Sequence, residues 1–279
     1  MHADEVLMCA GAVHTPAILQ RSGVGQSRLM SELGIDQVAD LPVGESFQDH
    51  PGIRLNLTIR RGAQLPHGGF RHIGVVGRYT SGVEGTGPAD MQVVAINGGT
   101  AHDAVNETPT SGGDGFALGG VVIWLNEAFS AGRLAISSPE PGLDPTIEEN
   151  MVSDPRDLAR LREAADMLFQ IAEQASIQAV IDPDQPAPVL ALTSGVGWGG
   201  RDGLSKAEWQ GMSLTEQEDY IRANCFDCQH ASGTCRMGRP DDPATVVSSK
   251  NGVVHGLENL RGEYCTQAIV AAARSRGWF

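Results

Sequence analysis

The sequence predicts a mixed fold of the α+β / α/β class, with an antiparallel sheet in the middle of the chain. Near the N-terminus an apolar segment is followed by glycine and then by helix signals, which is the order of strand, turn and helix in an α/β sheet. Between residues 53 and 137 strand-like segments follow one another without an intervening helix, which indicates antiparallel pairing. An amphipathic helix begins near Ser153.

The N-terminal elements are predicted from turn and capping signals. Glu5–Ala10 (EVLMCA) has the composition of a short buried strand, and the Gly11–Ala12 pair ends it. Thr15 is predicted to cap a short helix over Ala17–Arg21. Pro16 would occupy its first position, where a missing N–H is tolerated.

Three further helices are predicted. Gln26–Leu33 is ended by a glycine suited to the left-handed conformation. Ser153–Asp157 supplies a capping side chain, a proline and a first-turn acid. The apolar side chains after it share one helical face: Leu158, Leu161, Ala165, Leu168 and Ala172. Ser213 and Glu216 form a capping box for a helix that ends near residue 224.

The middle of the chain contains the strand signals. Ile53–Ile59 (IRLNLTI) alternates apolar and polar residues, which predicts a half-buried strand. Three further segments are predicted as strands: Met91–Ile96, Gly120–Leu125 and Arg133–Ser137. Stretches rich in Gly, Pro, Ser and Thr separate them and indicate loops.

Composition excludes several classes of protein. The chain has 279 residues, of which 20 are basic and 34 acidic, for a net charge of −14. This charge disfavours binding to nucleic acid or to an anionic membrane. The sequence contains no long apolar run, so no transmembrane segment is expected. An acidic N-terminus and five cysteines, too few for a disulfide framework, favour a cytoplasmic location.

The segment Gly195–Gly200 matches the pattern G-x-G-x-x-G of dinucleotide-binding turns. That pattern functions where a strand enters it and a helix leaves it, so that the helix N-terminus faces a pyrophosphate. Arg201–Gly203 is a poor helix opening. We therefore expect an open loop rather than a nucleotide site.

Three thiols and an imidazole lie within eleven residues, at Cys225, Cys228, His230 and Cys235. Zinc prefers such ligands. However, one residue separates Cys228 from His230, whereas structural zinc sites place a longer segment between their ligand pairs. Zinc, a redox pair and buried core thiols all remain open, and the third is favoured.

The stretch His230–Gly238 (HASGTCRMG) places a histidine beside small residues and glycines. An imidazole in a cramped cavity suits general-base chemistry near neutral pH. A structural histidine is the alternative that these residues alone favour. Asp49–Pro51 offers a second histidine, at a turn before the next strand.

Four segments in order resemble the glucose–methanol–choline (GMC) oxidoreductases. They are Gly11–Gly25, Leu41–Pro51, Asp144–Asp157 and His230–Gly238. The resemblance implies partial Rossmann-like FAD-domain segments that flank a substrate domain with an antiparallel sheet. Residues 1–40 and 223–261 would belong to the FAD part, residues 41–222 to the substrate part, and residues 262–279 to an atypical tail.

The resemblance also implies a chemistry. Members of the family, among them choline dehydrogenase-like enzymes, oxidise the CH–OH group of a small-molecule alcohol. A histidine takes the hydroxyl proton and hydride passes to flavin N5. His230 would be this base, and FAD the cofactor. The cofactor-binding residues would be Ala10, Gly11, Ala12, Gly233 and Thr234. Choline, an aliphatic alcohol and a sugar remain open as substrates, and so does the electron acceptor.

The chain departs from the family pattern at both ends. No strand and G-x-G-x-x-G segment precedes residue 5, and residues 262–279 do not resemble the family's ending. From this we expect a truncated fragment that is inactive alone and purifies without FAD. The alternative is a non-catalytic domain or a Cys/His metal-binding module on the residual scaffold.

Overall fold

A computed structural model describes residues 6–63, 73–97, 117–184, 187–191 and 203–261. The segment Gly195–Gly200 and the residues after 261 lie outside the described residues, as do residues 64–72 and 98–116. Within the described ranges the mixed α/β class and the antiparallel sheets are confirmed. In the same ranges no helix is long and apolar enough to cross a membrane.

The helices are α1 (Gly11–Arg21), α2 (Ser27–Leu33), α3 (Pro155–Ala172), α4 (Ala175–Gln178), α5 (Lys206–Gly211) and α6 (Leu214–Asn224). The strands are β1 (Val6–Leu7), β2 (Val24–Gly25), β3 (Ala39–Asp40), β4 (Glu45–Phe47), β5 (Gly52–Ile59), β6 (Ile73–Tyr79), β7 (Met91–Ile96), β8 (Ala117–Leu125), β9 (Gly132–Ala135), β10 (Thr146–Glu148), β11 (Val189–Ala191), β12 (Gly203–Leu204), β13 (Met237–Gly238), β14 (Val247–Ser248), β15 (Val253–Val254) and β16 (Leu257–Arg261).

The first of two compact units consists of the described residues of 1–49, 130–151 and 230–279. It contains a five-stranded sheet in the order β1-β16-β15-β14-β13, in which β1 runs parallel to β16. Strands β10, β9 and β4 form a small antiparallel sheet. The apolar core of the first unit consists of Leu19, Val24, Val43, Val246, Val247 and Val254.

The second unit consists of the described residues of 50–129 and 152–229. Its sheet has the order β12-β11-β5-β8-β7-β6, and all of its pairings are antiparallel. Helix α3 packs on β5 and β8 with the predicted stripe, and every residue of that stripe is buried. Burial of the stripe against the sheet is the main apolar contribution to this unit.

The units are divided differently from the predicted domains. Residues 130–151, which the sequence assigned to the substrate part, fall in the first unit together with residues 41–49. Compactness does not assign an FAD or a substrate role to either unit. The functional division of the chain therefore stays a prediction.

Most capping predictions are confirmed. Helix α2 ends before Gly34, whose φ is 66°. The Asp154 carboxylate accepts the Arg156 N–H at the start of α3, and Ser213 with Glu216 forms the predicted capping box of α6. The capping box of Ser205, at the start of α5, was not predicted. Strand β6 was also missed, since its glycines at positions 74 and 77 interrupt the apolar pattern.

The prediction for the first helix was wrong at its start. Helix α1 begins at Gly11, not Ala17, and Pro16 lies inside it rather than at its first position. Thr15 is not the N-cap, because its Oγ1 accepts the Ala10 N–H at 2.9 Å. Gly11, with a φ of 78°, turns the chain from β1 directly into the helix.

Two strand predictions need correction. Strand β1 has two described residues and lies at the edge of its sheet, so Val6 and Leu7 are 44% and 38% exposed rather than buried. Strand β5 was predicted as half-buried, but all eight of its residues are buried. Its polar face, with Arg54 and Asn56, is buried as well, because that face of the sheet carries a second apolar cluster around Val122, which pairs with Arg54.

A fully buried ionic cluster joins α3 to the sheet of the second unit. The Arg160 guanidinium donates to Asp90 Oδ2 at 3.0 Å, to Asp157 and to the Glu127 carbonyl at 2.8 Å. The side chains of Arg160 and both aspartates are 0% exposed. Burying these charges is favourable only because each of them is hydrogen bonded.

The pKa of Asp90 is set by opposing effects. Burial alone raises the pKa of this carboxyl, but hydrogen bonds from the Ser81 N–H and hydroxyl and from Arg160 outweigh burial. The pKa of Asp90 is therefore held below its ordinary value. The charged carboxylate is the stable form in the folded chain.

We expect Arg160→Met to destabilise the chain by about 3–5 kcal/mol, because it leaves two buried carboxylates without their cation. Urea unfolding measures the loss. Arg222→Met is the control, since Arg222 pairs with acids at the exposed surface of α6, and it should change stability little. A loss below about 1 kcal/mol for Arg160→Met would contradict this account of the cluster.

Asp90 should also make the free energy of unfolding depend on pH in the acidic range. Because its folded pKa is depressed, its contribution is complete above about pH 4 and is lost as the pH falls through the folded pKa. In a urea series at decreasing pH, Asp90→Asn should therefore lose less stability than the unsubstituted chain. Glu163→Gln, on the exposed face of α3, should leave the slope unchanged. Equal slopes for Asp90→Asn and the unsubstituted chain would show that Asp90 titrates alike in both states.

Candidate functional site

Three segments meet within the first unit: the start of α1 at Ala10–Ala12, the segment Gly44–Asp49, and the loop His230–Thr234. They contain the sequence positions that resemble the family's landmarks. We call the third segment the histidine loop. Its backbone, rather than its side chains, makes most of the hydrogen bonds that hold it.

The segment Gly44–Asp49 holds the histidine loop along one side. Gln48 and Ser232 exchange two backbone hydrogen bonds, with N···O distances of 3.0 and 2.8 Å. The Gly44 N–H donates to the Thr234 carbonyl at 2.8 Å. These bonds fix the loop at its middle and at its end.

Asp49 holds the start of the loop. Its Oδ2 accepts the backbone N–H of His230 at 2.8 Å, and the residue is 7% exposed. A buried carboxylate that accepts a backbone N–H makes a strong, charge-assisted bond. The bond fixes the position of the His230 backbone, while residue 230 itself is exposed.

Gly233 is required by the close approach of two backbones. Its φ is 84°, and a Cβ added there would lie 2.0 Å from the Ser46 carbonyl oxygen. Any other residue would push the histidine loop away from β4 and would strain the left-handed backbone. The small residue predicted at this position is therefore explained by packing within the protein.

Thr234 joins the loop to α1. Its hydroxyl donates to the Ala12 carbonyl at 2.7 Å, and the residue is 2% exposed. A second polar side chain orients the same helix, because Gln20 donates to the Val43 and Leu134 carbonyls and accepts the Ile136 N–H. Helix α1 is thus held by side-chain bonds at both of its ends.

The first turn of α1 is open. Ala10 is the N-cap and makes no side-chain cap, and the first turn contains no acidic residue. A Cβ added at Gly11 would meet nothing within 4 Å. The helix therefore presents backbone N–H groups and the positive end of its dipole beside small residues, which suits polar oxygens of a bound group.

Among the predicted site residues, Ala12 and Thr234 are in direct contact, and Gly233 and His230 lie in the same anchored loop. Ala10 and Gly11 begin the adjoining helix. Asp49 was missed as a functional residue, because the Asp49–Pro51 motif was considered for its histidine. Its position in the short turn between β4 and β5 was the available signal.

The zinc alternative gains no support from the geometry. Among the described residues, which include Cys225, Cys228, His230 and Cys235, no three His, Cys, Asp or Glu side chains are placed to hold a metal ion.

Comparisons with known proteins identify relatives of this chain. The chain is 32% identical over 276 residues to the 5-(hydroxymethyl)furfural oxidase of Methylovorus sp. (strain MP688), covering 94% of this chain and 45% of the relative. It is 28% identical to the oxygen-dependent choline dehydrogenase 1 of Chromohalobacter salexigens, covering 92% of this chain and 45% of the relative. The chain therefore spans about half the length of the curated relatives that it matches.

Solved structures show the same fold. A formate oxidase of Aspergillus oryzae RIB40, studied for the modification of its FAD, superposes with a TM-score of 0.69 at 20% identity. The match covers 92% of this chain and 48% of that structure. Family membership, given by the matches below, supports FAD as the cofactor, and this neighbour's own FAD agrees with it. The family models of the N-terminal and C-terminal parts of GMC oxidoreductases match residues 1–52 and 128–261. The chain therefore belongs to the GMC oxidoreductase family.

Proposed function

We propose that this chain takes part in the FAD-dependent oxidation of the CH–OH group of a small-molecule alcohol, with His230 as the general base. The observation that carries the proposal is the anchored histidine loop, which fixes the backbone of an exposed histidine and is bonded to the first turn of α1 through Thr234. Family membership supplies the reaction class. The names of the relatives, an oxidase of a hydroxymethyl compound and a choline dehydrogenase, support an alcohol.

His230 would act on the substrate hydroxyl. A neutral imidazole accepts the hydroxyl proton while the C–H bond breaks, so the alcohol loses one proton and one hydride and becomes a carbonyl compound. Bound FAD would supply the acceptor for that hydride. The chain's own contribution is to hold the imidazole where the hydroxyl proton leaves, and Asp49 does this through the His230 backbone.

The residues at the start of α1 fit a flavin cofactor. Ala10, Gly11 and Ala12 carry little side-chain volume, and the helix N-terminus beside them has no side-chain cap. We propose that these residues face the cofactor and that its polar oxygens accept the free N–H groups of the first turn. Gly233 packs closely on Ser46 and so allows the histidine loop to lie against β4.

Two further parts of the proposal concern the substrate and the location. The substrate is proposed only as an alcohol. The small number of cysteines supports a cytoplasmic site of action.

We expect His230→Ala to slow flavin reduction by alcohol about 10²–10⁴-fold, the usual contribution of a general base. The assay is stopped-flow absorbance of a chimera in which this chain replaces the matched segment of the 5-(hydroxymethyl)furfural oxidase. Flavin content should stay unchanged, because the role is proton removal.

His255→Gln is the matched control for the loss of a histidine. His255 lies near Thr245 Oγ1, at 3.1 Å, and is given no role in the reaction. Its reduction rate should equal that of the chimera without substitutions. An unaltered rate in His230→Ala would remove His230 from the mechanism, and a loss of flavin would make its role structural.

Asp49→Ala should slow flavin reduction less than His230→Ala, because the imidazole remains but its backbone loses an anchor. Asp49→Asn keeps an oxygen that can accept the His230 N–H, so it should retain most of the rate. Equal rates for Asp49→Ala and the chimera without substitutions would contradict the positioning role of Asp49.

A further inference from the structure

Pro16 leaves one backbone carbonyl of α1 without its helical donor. In an α-helix the carbonyl of residue 12 accepts the N–H of residue 16. Pro16 lies inside α1 and has no N–H. Its ring also crowds that carbonyl and tilts it away from the helix axis. The Ala12 carbonyl must therefore find a donor outside the helix.

Thr234 supplies that donor. Its hydroxyl lies 2.7 Å from the Ala12 oxygen, and the residue is 2% exposed, so water does not readily replace it. The backbone carbonyl of the same residue is also engaged, since it accepts the Gly44 N–H. Thr234 is thus fixed at its side chain and at its backbone to two different segments of the first unit.

We infer that Thr234 is a positioning residue that sets the histidine loop against α1 through the carbonyl that Pro16 releases. This inference rests on the proposed role of His230. The Thr234 hydroxyl donates to Ala12, and its expected contact with the cofactor stays a prediction. With Asp49 at the start of the loop and Thr234 at its end, the His230 backbone is held from both sides.

The physical consequence is a dependence of Thr234 on Pro16. With Pro16 present, removal of the Thr234 hydroxyl leaves a partly buried carbonyl without a donor, which is unfavourable. In the Pro16→Ala variant, the restored N–H at position 16 satisfies the Ala12 carbonyl. Removal of the Thr234 hydroxyl then costs less stability, although it still breaks the bond between the loop and the helix.

The first experiment follows the His230 amide in the full chain by NMR. The chain has eight histidines, so labelling with [15N]histidine gives a small set of peaks, and His230→Gln identifies the peak of interest. We expect Thr234→Val to shift the His230 amide peak, because the loop moves relative to Asp49. Thr234→Ser should restore the position of the peak, since it keeps the hydroxyl.

The second experiment is a double-mutant cycle in urea. Thr234→Val should lower the urea concentration at the unfolding midpoint, and this decrease should be at least halved in the Pro16→Ala background. Thr245→Val is the matched control, because Thr245 is equally buried and donates to the Arg239 and Asp242 carbonyls. Its loss should be the same in both backgrounds, and it should leave the His230 amide peak in place.

Two results would overturn the inference. One is an equal loss for Thr234→Val in the chain that keeps Pro16 and in the Pro16→Ala background. The other is an unmoved His230 amide peak in Thr234→Val. If Thr234→Val alone does not fold, the variant that also carries Pro16→Ala provides the NMR test, and an unmoved peak there has the same meaning.

The kinetic arm separates this inference from the proposed function. In the chimera, Thr234→Val should reduce the rate of flavin reduction by up to about 10²-fold, and Thr234→Ser should restore it. One outcome is that the His230 amide peak shifts and the double-mutant cycle shows that Thr234 depends on Pro16, while neither Thr234→Val nor His230→Ala changes the rate of flavin reduction. In that case the structural link stands and the proposed function of His230 fails. If His230→Ala slows the reaction and Thr234→Val does not, Thr234 is not a positioning residue.

Discussion

The candidate site depends on the backbone hydrogen bonds that fasten the histidine loop to the segment Gly44–Asp49. A loop has no ladder of its own, so its N–H and carbonyl groups must be satisfied by neighbours. Here the neighbours lie far away in sequence, and the bond between Asp49 and His230 joins residues 181 positions apart. The conformation of the loop is therefore a property of the folded unit.

This arrangement explains how His230 can be both fixed and reachable. A fixed side chain usually requires burial, which would remove a proton acceptor from its substrate. In this chain the backbone carries the constraint, and the buried groups are Asp49 and Thr234 rather than the imidazole. Gly233 makes the arrangement possible, because only a residue without a Cβ allows the loop to approach the Ser46 carbonyl so closely.

Local signals predicted much of the fold, because caps and amphipathic stripes are decided within a few residues. The helix at Pro155–Ala172 and the capping box of Ser213 are of this kind. Thr15 shows the limit. Thr-Pro is the usual start of a helix, but Gly11 had already begun one, and the threonine hydroxyl bonded to Ala10 instead. The burial of Arg54 in β5 likewise depends on residues far away in sequence, such as Val122, whose side chains lie on the same face of the sheet.

The sequence supplied candidate residues for the site but not the hydrogen bonds between them. Small residues and a histidine are visible in the sequence, whereas a hydroxyl that serves a carbonyl 222 residues away is not. Two features of the sequence nevertheless require each other. A proline inside a helix creates an unsatisfied carbonyl, and a buried threonine must place its hydroxyl on an acceptor. Thr234 supplies the Ala12 carbonyl with the donor that Pro16 lacks, and this carbonyl gives the buried Thr234 hydroxyl an acceptor. The pairing therefore accounts for a proline that α1, as a helix, would otherwise exclude.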